Sequence, residues 1–297
     1  MPKDKDIAEK ILLDINEIFA EIMNVFLFGG ADLVKPEELE NAATVSYLKM
    51  ADGIHEQERD VLKRWKRENV TVLVCGAENQ ARPHSGMPLR LFGYDGANYR
   101  QQVSQRESEA RQKKPLTPYY PVVTLVLYYG LEPWSGPKTL RECFQNVSPA
   151  IEPYIPKYPI HLVEVAFLKR EQIAQLKSDF RFVADYLVQK RTTGTYVPPD
   201  DRIVHVDETL KLMCAVTGDN RFEESVNALA PREKEGVTMC SVVESFVNQG
   251  RQEGRQEMRR EYEAIVAEKD RKLKEQNSVI EDMARKLHEY EARYGLA

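Results

Sequence analysis

The stretch Val70-Thr-Val-Leu-Val-Cys-Gly-Ala-Glu-Asn-Gln80 lies about a quarter of the way along the chain. Its first eight residues are small or apolar and include several β-branched side chains, which predicts a buried β-strand. Its last three, Glu78, Asn79 and Gln80, are a carboxylate and two amides. Polar groups are costly to bury at the end of a core strand, so the sequence raises the question of what these three residues do there.

The residues before this strand predict a β-hairpin. Asp60–Lys66 forms one arm, Arg67-Glu-Asn69 forms a polar turn, and the second arm begins at Val70. The alternative for residues 55–67 is a charged helix, which local propensity also permits. The other patterns predict strands at 43–50, 121–129 and 161–168, a short broken segment at 87–96, and helices at 5–28, 98–114, 171–191, 202–217, 220–229 and 238–250.

Composition narrows the class of protein. The 297 residues carry a formal net charge of −5, and the four cysteines lie far apart with no Cys-x-x-Cys pair, which favours reduced thiols over a disulfide framework. The charged N-terminus does not resemble a signal peptide, and the longest apolar run, 119–130, is too short to cross a bilayer. We therefore expect a cytoplasmic protein that does not associate with membranes.

The charges are distributed unevenly along the chain. Residues 1–58 contain 5 Lys and Arg against 13 Asp and Glu, whereas residues 59–114 contain 12 against 6. The predicted hairpin therefore lies in a basic segment of an acidic chain, which favours a polyanionic partner.

Two acids of the hairpin can meet around one cation. Antiparallel strands lie about 4.8 Å apart, so Asp60 and Glu78, at the open end of the hairpin, can bridge a single ion. Gln80 lies on the same face as Glu78 because side chains alternate along a strand. This set suits Mg²⁺-assisted phosphodiester hydrolysis; the structural alternative is a glutamate that pairs with an arginine or caps a helix. The chain has no Gly-rich phosphate loop, no Gly-x-Ser-x-Gly and no His-Glu-x-x-His.

The last fifty residues carry a heptad repeat that predicts a coiled coil and a homodimer. The alternative is a helix that lies against its own domain, and no Pro or Gly interrupts the segment between Arg255 and Tyr294. Two sets of residues form the seam, each with a spacing of seven: Val266, Leu273, Ile280, Leu287 and Tyr294 form one set, and Tyr262, Lys269, Gln276, Met283 and Tyr290 form the other. Lys269 and Gln276 are the charged and amide residues within this seam.

The spacing of the acids and of Gln80 resembles that of the PD-(D/E)XK phosphodiesterase superfamily. Within it, residues 5–255 resemble the recombination-promoting nuclease/putative transposase family. The resemblance is carried by seven segments: Asp14-Ile-Asn-Glu-Ile-Phe-Ala20, His55-Glu-Gln-Glu-Arg-Asp-Val61, Glu78-Asn-Gln80, the spaced residues Met87-Pro-Leu-Arg, Tyr94 and Tyr99-Arg100, Tyr120-Pro-Val-Val-Thr-Leu-Val-Leu-Tyr-Tyr-Gly130, Phe180-Arg-Phe-Val-Ala-Asp-Tyr186 and Gln249-Gly-Arg-Gln-Glu-Gly-Arg255.

The resemblance implies a restriction-endonuclease-like α/β fold with a mixed central sheet flanked by helices, and metal-dependent DNA cleavage linked to recombination or mobile elements. Asp60 would bridge the metal, Glu78 would be the second ligand, and Asn79 would offer its backbone carbonyl. The ion would be Mg²⁺, with Mn²⁺ as a substitute. Glu17 or Glu21 on the first helix would be an accessory acid, and the choice between them stays open.

Gln80 stands where the superfamily has a lysine. An amide can orient a water molecule, but it brings no positive charge to the reaction. The alternative function is therefore a DNA-binding or scaffold protein that keeps the nuclease fold with weak or no catalysis. A third hypothesis is a coiled-coil interaction protein without a nucleic-acid role.

Three regions follow from these patterns. We predict a nuclease-like domain with a helical extension at 1–233, a helical connector at 234–255 and a coiled-coil tail at 256–297. The candidate phosphate contacts are Lys63, Arg64, Lys66, Arg82, Arg90, Arg100, Arg111, Lys113 and Lys114.

Overall fold

The computed structural model describes residues 10–295 except 44, 51, 52, 59, 69, 231 and 232. The side chains of 45–50, 53–58, 70, 72 and 233 are also outside this description. The chain forms two compact units, Met1–Val242 and Val243–Ala297. The three predicted regions stay a prediction, since these units divide the chain by contacts and not by role.

The first unit is built on a mixed five-stranded sheet, which confirms the predicted α/β class. The spatial order is β1, β4, β5, β6, β7; β4 runs antiparallel to both of its neighbours, β1 and β5, and β5, β6 and β7 run parallel to one another. A separate two-stranded sheet pairs β2 with β3. The strands span Leu39–Asn41 (β1), Val45–Met50 (β2), Gly53–Glu58 (β3), Val61–Arg67 (β4), Val70–Gln80 (β5), Val122–Tyr128 (β6) and His161–Glu164 (β7).

The predicted hairpin is confirmed as β4 and β5, and the alternative helix at 55–67 is wrong. The turn between the strands includes Glu68, whose φ of 48° is left-handed. Lys66 pairs with Thr71 but Trp65 pairs with Leu73, so β5 holds one more residue than β4 across this β-bulge. Beyond the bulge the register is regular.

Helices cover both faces of the sheet. They span Asn16–Phe26 (α1), Met87–Arg111 (α2), Arg170–Gln175 (α3), Phe180–Thr193 (α4), Val206–Thr217 (α5), Arg221–Ala228 (α6) and Met239–Tyr294 (α7). Met87, Leu91 and Tyr94 of α2 pack with Val126 and Tyr128 of β6 on one face of the sheet. On the other face, Lys63 of β4 contacts Asn16 and Phe19 of α1.

Several predicted boundaries were wrong for physical reasons. The predicted helix at 5–28 is interrupted at residues 14–15, before α1, and its residues 5–9 lie outside the described chain. The segment 87–96 is not broken at Gly93 and Gly96, because packing of its apolar face against the sheet outweighs the weak helix propensity of glycine. The predicted helix at 171–191 is two helices, α3 and α4, and the predicted strand at 161–168 ends at Glu164 before a 3₁₀ turn.

The long helix α7 continues through the whole predicted tail. Its seam side chains are exposed to solvent: Leu273 is 56% exposed, Ile280 62% and Leu287 61%. Across the described residues, no helix combines the length and hydropathy of a membrane-spanning segment. All four cysteines are free thiols.

Candidate active site

Asp60 lies at the open end of the hairpin, immediately before β4. The last ladder pair before it joins Val61 to Ala77, so the register places Asp60 opposite Glu78. The Asp60 Oδ2 atom accepts a hydrogen bond from the backbone N–H of Asn79 at 2.8 Å. In a continued ladder, a backbone carbonyl of the neighbouring strand would accept this N–H. Here the Asp60 carboxylate accepts it instead, and this hydrogen bond holds the carboxylate at a fixed position beside β5.

Glu78 is fully buried on the face of the sheet that α2 covers. Its Oε2 atom lies 3.1 Å from Nη2 of Arg90, a residue of α2. Burial lowers the pKa of Arg90, but the charge of Glu78, the hydrogen bond to Tyr94 and, to a smaller extent, the charge of Asp60 raise it, and the net effect is a pKa above the ordinary value for arginine. Both carboxylates therefore act on the same guanidinium.

Asn79 is fixed from both ends. Its side-chain Oδ1 accepts a hydrogen bond from the Tyr129 hydroxyl at 2.8 Å, and its backbone N–H donates to Asp60. The N–H and C=O of one strand residue point to the same side of the strand, so the Asn79 carbonyl also points toward Asp60. This is the atom that the family resemblance assigned to the metal.

Gln80 is the last residue of β5, two positions after Glu78, and lies on the same face. Its backbone carbonyl accepts a hydrogen bond from the N–H of Tyr129 at 2.9 Å. The last residue of β5 is therefore still hydrogen-bonded to the residue that follows β6. The amide side chain is half-buried.

A pocket of about 310 Å³ opens at Asp60. Lys10, from the helical turn at residues 10–13, lies with Nζ 3.7 Å from Asp60 Oδ1. The pocket is lined by Lys10, Ile11, Asp14, Asn41, Ala42, Asp60, Val61 and Leu62.

Neither of the acids that the resemblance offered on the first helix, Glu17 and Glu21, lines the pocket at Asp60. Glu21 accepts hydrogen bonds from Ser178, through the backbone N–H and the hydroxyl, and so fixes the start of α4. Glu17 and Glu21 line a different pocket. Asp14, which lies between the helical turn at residues 10–13 and α1, lines the pocket with Asp60.

Lys63 is not a phosphate contact, which corrects the sequence analysis. It is 0% exposed, and its Nζ donates to the Asp14 carbonyl at 2.8 Å, to Asn16 Oδ1 at 2.8 Å and to Asn41 Oδ1. Three other candidates are engaged in ion pairs: Lys66 with Glu40, Arg90 with Glu78, and Arg111 with Glu107. Five candidates are exposed at the surface: Arg82, Arg100, Arg111, Lys113 and Lys114.

Sequence reasoning missed Lys10 and Asp14 as members of the site and did not place Arg90 on Glu78. Lys10 and Asp14 lie four residues apart, which puts them on one face of a helix. The spacing could have predicted that Lys10 and Asp14 lie together. The sequence did not indicate that this face of the helix packs beside Asp60. The pairing of Arg90 with Glu78 depends on the packing of α2 on the sheet.

The arrangement suits a hard divalent cation. The strand register places Asp60 opposite Glu78, and the Asn79 carbonyl points toward Asp60. Mg²⁺ is usually held by one or two carboxylates together with water and substrate phosphate. Among the residues described, no three His, Cys, Asp or Glu side chains form a metal cluster. The donor set therefore fits an ion that keeps several water ligands, rather than a fully protein-ligated one.

The mixed sheet, its flanking helices and the long C-terminal helix define the chain as an α/β protein of nuclease-like fold. The family model described as "Putative transposase, YhgA-like" matches residues 41–197, more than half of the chain and all of Asp60–Gln80. The chain therefore belongs to this family, the PD-(D/E)XK nuclease-like transposase group, as the sequence predicted. No curated protein and no solved structure matches the chain.

Proposed function

We propose that this protein is a divalent-metal-dependent DNA endonuclease that acts in recombination or on mobile elements. One observation carries the proposal: the Asp60 carboxylate is bonded to the Asn79 N–H, opposite Glu78 in the hairpin register. Membership of a transposase family supports DNA as the partner.

Asp60, Glu78 and the Asn79 carbonyl would hold Mg²⁺ or Mn²⁺. When bound, such an ion polarises a phosphoryl oxygen and lowers the pKa of a coordinated water molecule. Gln80, on the face of Glu78, would orient the attacking water through its amide. Exposed basic residues such as Arg82 and Arg100 would contact the DNA backbone.

The alternative is a DNA-binding or scaffold protein with the same fold and little turnover. Two observations favour it: Gln80 brings no charge, and the Glu78 carboxylate is buried and paired with Arg90. A metal that uses Glu78 has to compete with that guanidinium. The two functions differ in turnover and not in DNA binding.

Removal of the metal is expected to stop cleavage. The wild-type protein should convert supercoiled plasmid to the nicked form with Mg²⁺ or Mn²⁺ and should not do so in EDTA, because the carboxylates alone cannot activate water. A Glu78→Gln preparation purified in parallel controls for contaminating nucleases. Salt-dependent DNA binding with no nicking in either metal would replace the endonuclease proposal by the alternative.

We also propose that the tail forms a homodimeric coiled coil, because apolar seam side chains such as Leu273 and Ile280 are exposed over successive heptads. Deletion of residues 256–297 is expected to turn a dimer into a folded monomer, as measured by light scattering.

A matched pair of variants tests the seam itself. Leu273→Glu combined with Ile280→Glu should also give a monomer, because charges would face each other in the seam, whereas Lys274→Glu, outside the seam, should remain dimeric. A truncated protein that still elutes as a dimer would contradict this role for the tail.

A further inference from the structure

The pocket at Asp60 contains a cation that the family motif does not include. Lys10 Nζ lies 3.7 Å from Asp60 Oδ1, and the side chains of Lys10 and Asp60 are 26% and 18% exposed. Both residues line the same pocket of about 310 Å³. Lys10 precedes the region matched by the family model, residues 41–197. It is therefore a feature of this chain that the motif itself does not supply.

A fixed positive charge in addition to the metal would accelerate phosphodiester hydrolysis at this site. Negative charge accumulates on the equatorial oxygens of the phosphoryl group in the transition state, and fixed cations stabilise it strongly in a partly buried site. Gln80, in the position of the motif lysine, is neutral. A basic side chain elsewhere in the pocket can supply the charge that Gln80 does not.

Two other basic side chains among the described residues, Arg90 and Lys63, do not line this pocket. Arg90 pairs with the buried Glu78 and donates through Nε to the Tyr94 hydroxyl at 2.8 Å, and it does not line the pocket. Lys63 is fully buried among oxygen acceptors of Asp14, Asn16 and Asn41.

Lys10 has the geometry that a phosphate-contacting cation needs. The 3.7 Å separation is that of an ion pair and is too long for a hydrogen bond to this oxygen. The lysine stem has four carbons and rotates readily, and the ammonium lies in a pocket that opens to solvent. A phosphate brought to Asp60 by a divalent ion would therefore come within reach of this ammonium.

We propose that Lys10 is the catalytic cation of the site, contacting a non-bridging oxygen of the scissile phosphate in place of the lysine that Gln80 replaces. The inference rests on the proposed nuclease function. Lys10 acts as a fixed charge and hydrogen-bond donor, and no proton is transferred. The ligand class is a nucleic-acid phosphodiester held beside Asp60.

Substitution of Lys10 should separate catalysis from metal binding. Lys10→Gln is expected to lower kcat for plasmid nicking on the order of 10²-fold, with a smaller change in KM. The same variant should bind Mn²⁺ about tenfold more tightly in a calorimetric titration, because a cation beside Asp60 repels the ion. A merely structural role for Lys10 would weaken both.

Rescue variants make the test specific to charge. Lys10→Arg should retain much of the activity, and Lys10→Gln combined with Gln80→Lys should recover activity by returning the charge to the motif position. Lys35→Gln removes a surface lysine that pairs with Asp32, outside this pocket, and should leave nicking and Mn²⁺ affinity unchanged.

The outcomes distinguish the two proposals. Wild-type nicking together with an unaffected Lys10→Gln variant would overturn the role of Lys10 and leave the endonuclease function standing. Loss of activity with weakened Mn²⁺ binding would also overturn it, in favour of a structural role. A wild-type protein that binds Mn²⁺ and DNA but never nicks would remove both.

Discussion

Asp60→Asn is expected to abolish plasmid nicking while leaving the protein folded. The substitution keeps an oxygen that can accept the Asn79 N–H, but it removes the charge that a divalent ion needs. Loss of a metal ligand costs several kcal/mol of transition-state stabilisation, which corresponds to a fall in rate on the order of 10³-fold or more. Nicking rates under Mg²⁺ and the free energy of unfolding in urea measure the two effects separately.

Asp60→Ala provides the matched comparison. It removes the acceptor as well as the charge, so the Asn79 N–H loses its partner, and we expect an additional cost of about 1–3 kcal/mol in the free energy of unfolding. Asp200→Asn, at an exposed acid, controls for a change of net charge and should cleave normally. If the Asp60→Asn variant cleaved plasmid at the wild-type rate, the assignment of Asp60 to the metal would be contradicted.

Lys63→Met is expected to destabilise the first unit by about 3 kcal/mol, because it leaves buried acceptors without a donor. The ammonium donates to Asn16, to Asn41 and to the Asp14 carbonyl, and it lies 5.6 Å from the ring centre of Phe19. These contacts join β1 and β4 to α1 and to Asp14, which precedes α1. The loss should appear as a lower urea midpoint with an unchanged slope.

Lys66→Met on the same strand is the matched control. Its partner Glu40 is exposed, so removal of this pair should change stability by less than about 1 kcal/mol. Equal midpoints for the two methionine variants would show that the buried network around Lys63 contributes nothing.

The same pair of proteins should differ in their response to pH. Burial lowers the pKa of the Lys63 ammonium below 10.5, and the charge of Asp14 opposes this effect. The unfolded chain therefore binds this proton more tightly than the folded chain, and wild-type stability rises with pH between the lowered pKa and 10.5. Lys63→Met lacks this group, so the stability difference between wild type and variant should grow across that window.

The hairpin and the central strands could be predicted from the sequence because their signals are local. Alternating and β-branched residues mark β5 and β6, and a polar turn separates β4 from β5. The family assignment is confirmed by the match over residues 41–197. These features depend on segments that are continuous along the chain.

The contents of the pocket could not be predicted, because they depend on contacts between distant segments. Lys63 looked like a surface cation, yet it is buried because Asp14, Asn16 and Asn41 converge on it from other elements. Lys10 reaches Asp60 only because the first helical turn passes the open end of the hairpin. A pattern of charges identifies residue types, but only the packing of helices on the sheet decides which of them meet.

The β-bulge between Trp65 and Lys66 determines which residue of β5 lies opposite Asp60. If the two strands were paired without interruption from the turn, Asp60 would face Ala77, and Glu78 would have no opposite acid. The one extra residue in β5 shifts the strand register by one residue and places Asp60 opposite Glu78. Turn variants that conserve this offset should therefore keep Asp60 opposite Glu78, whereas a one-residue shift of the register would separate the two acids without changing either of them.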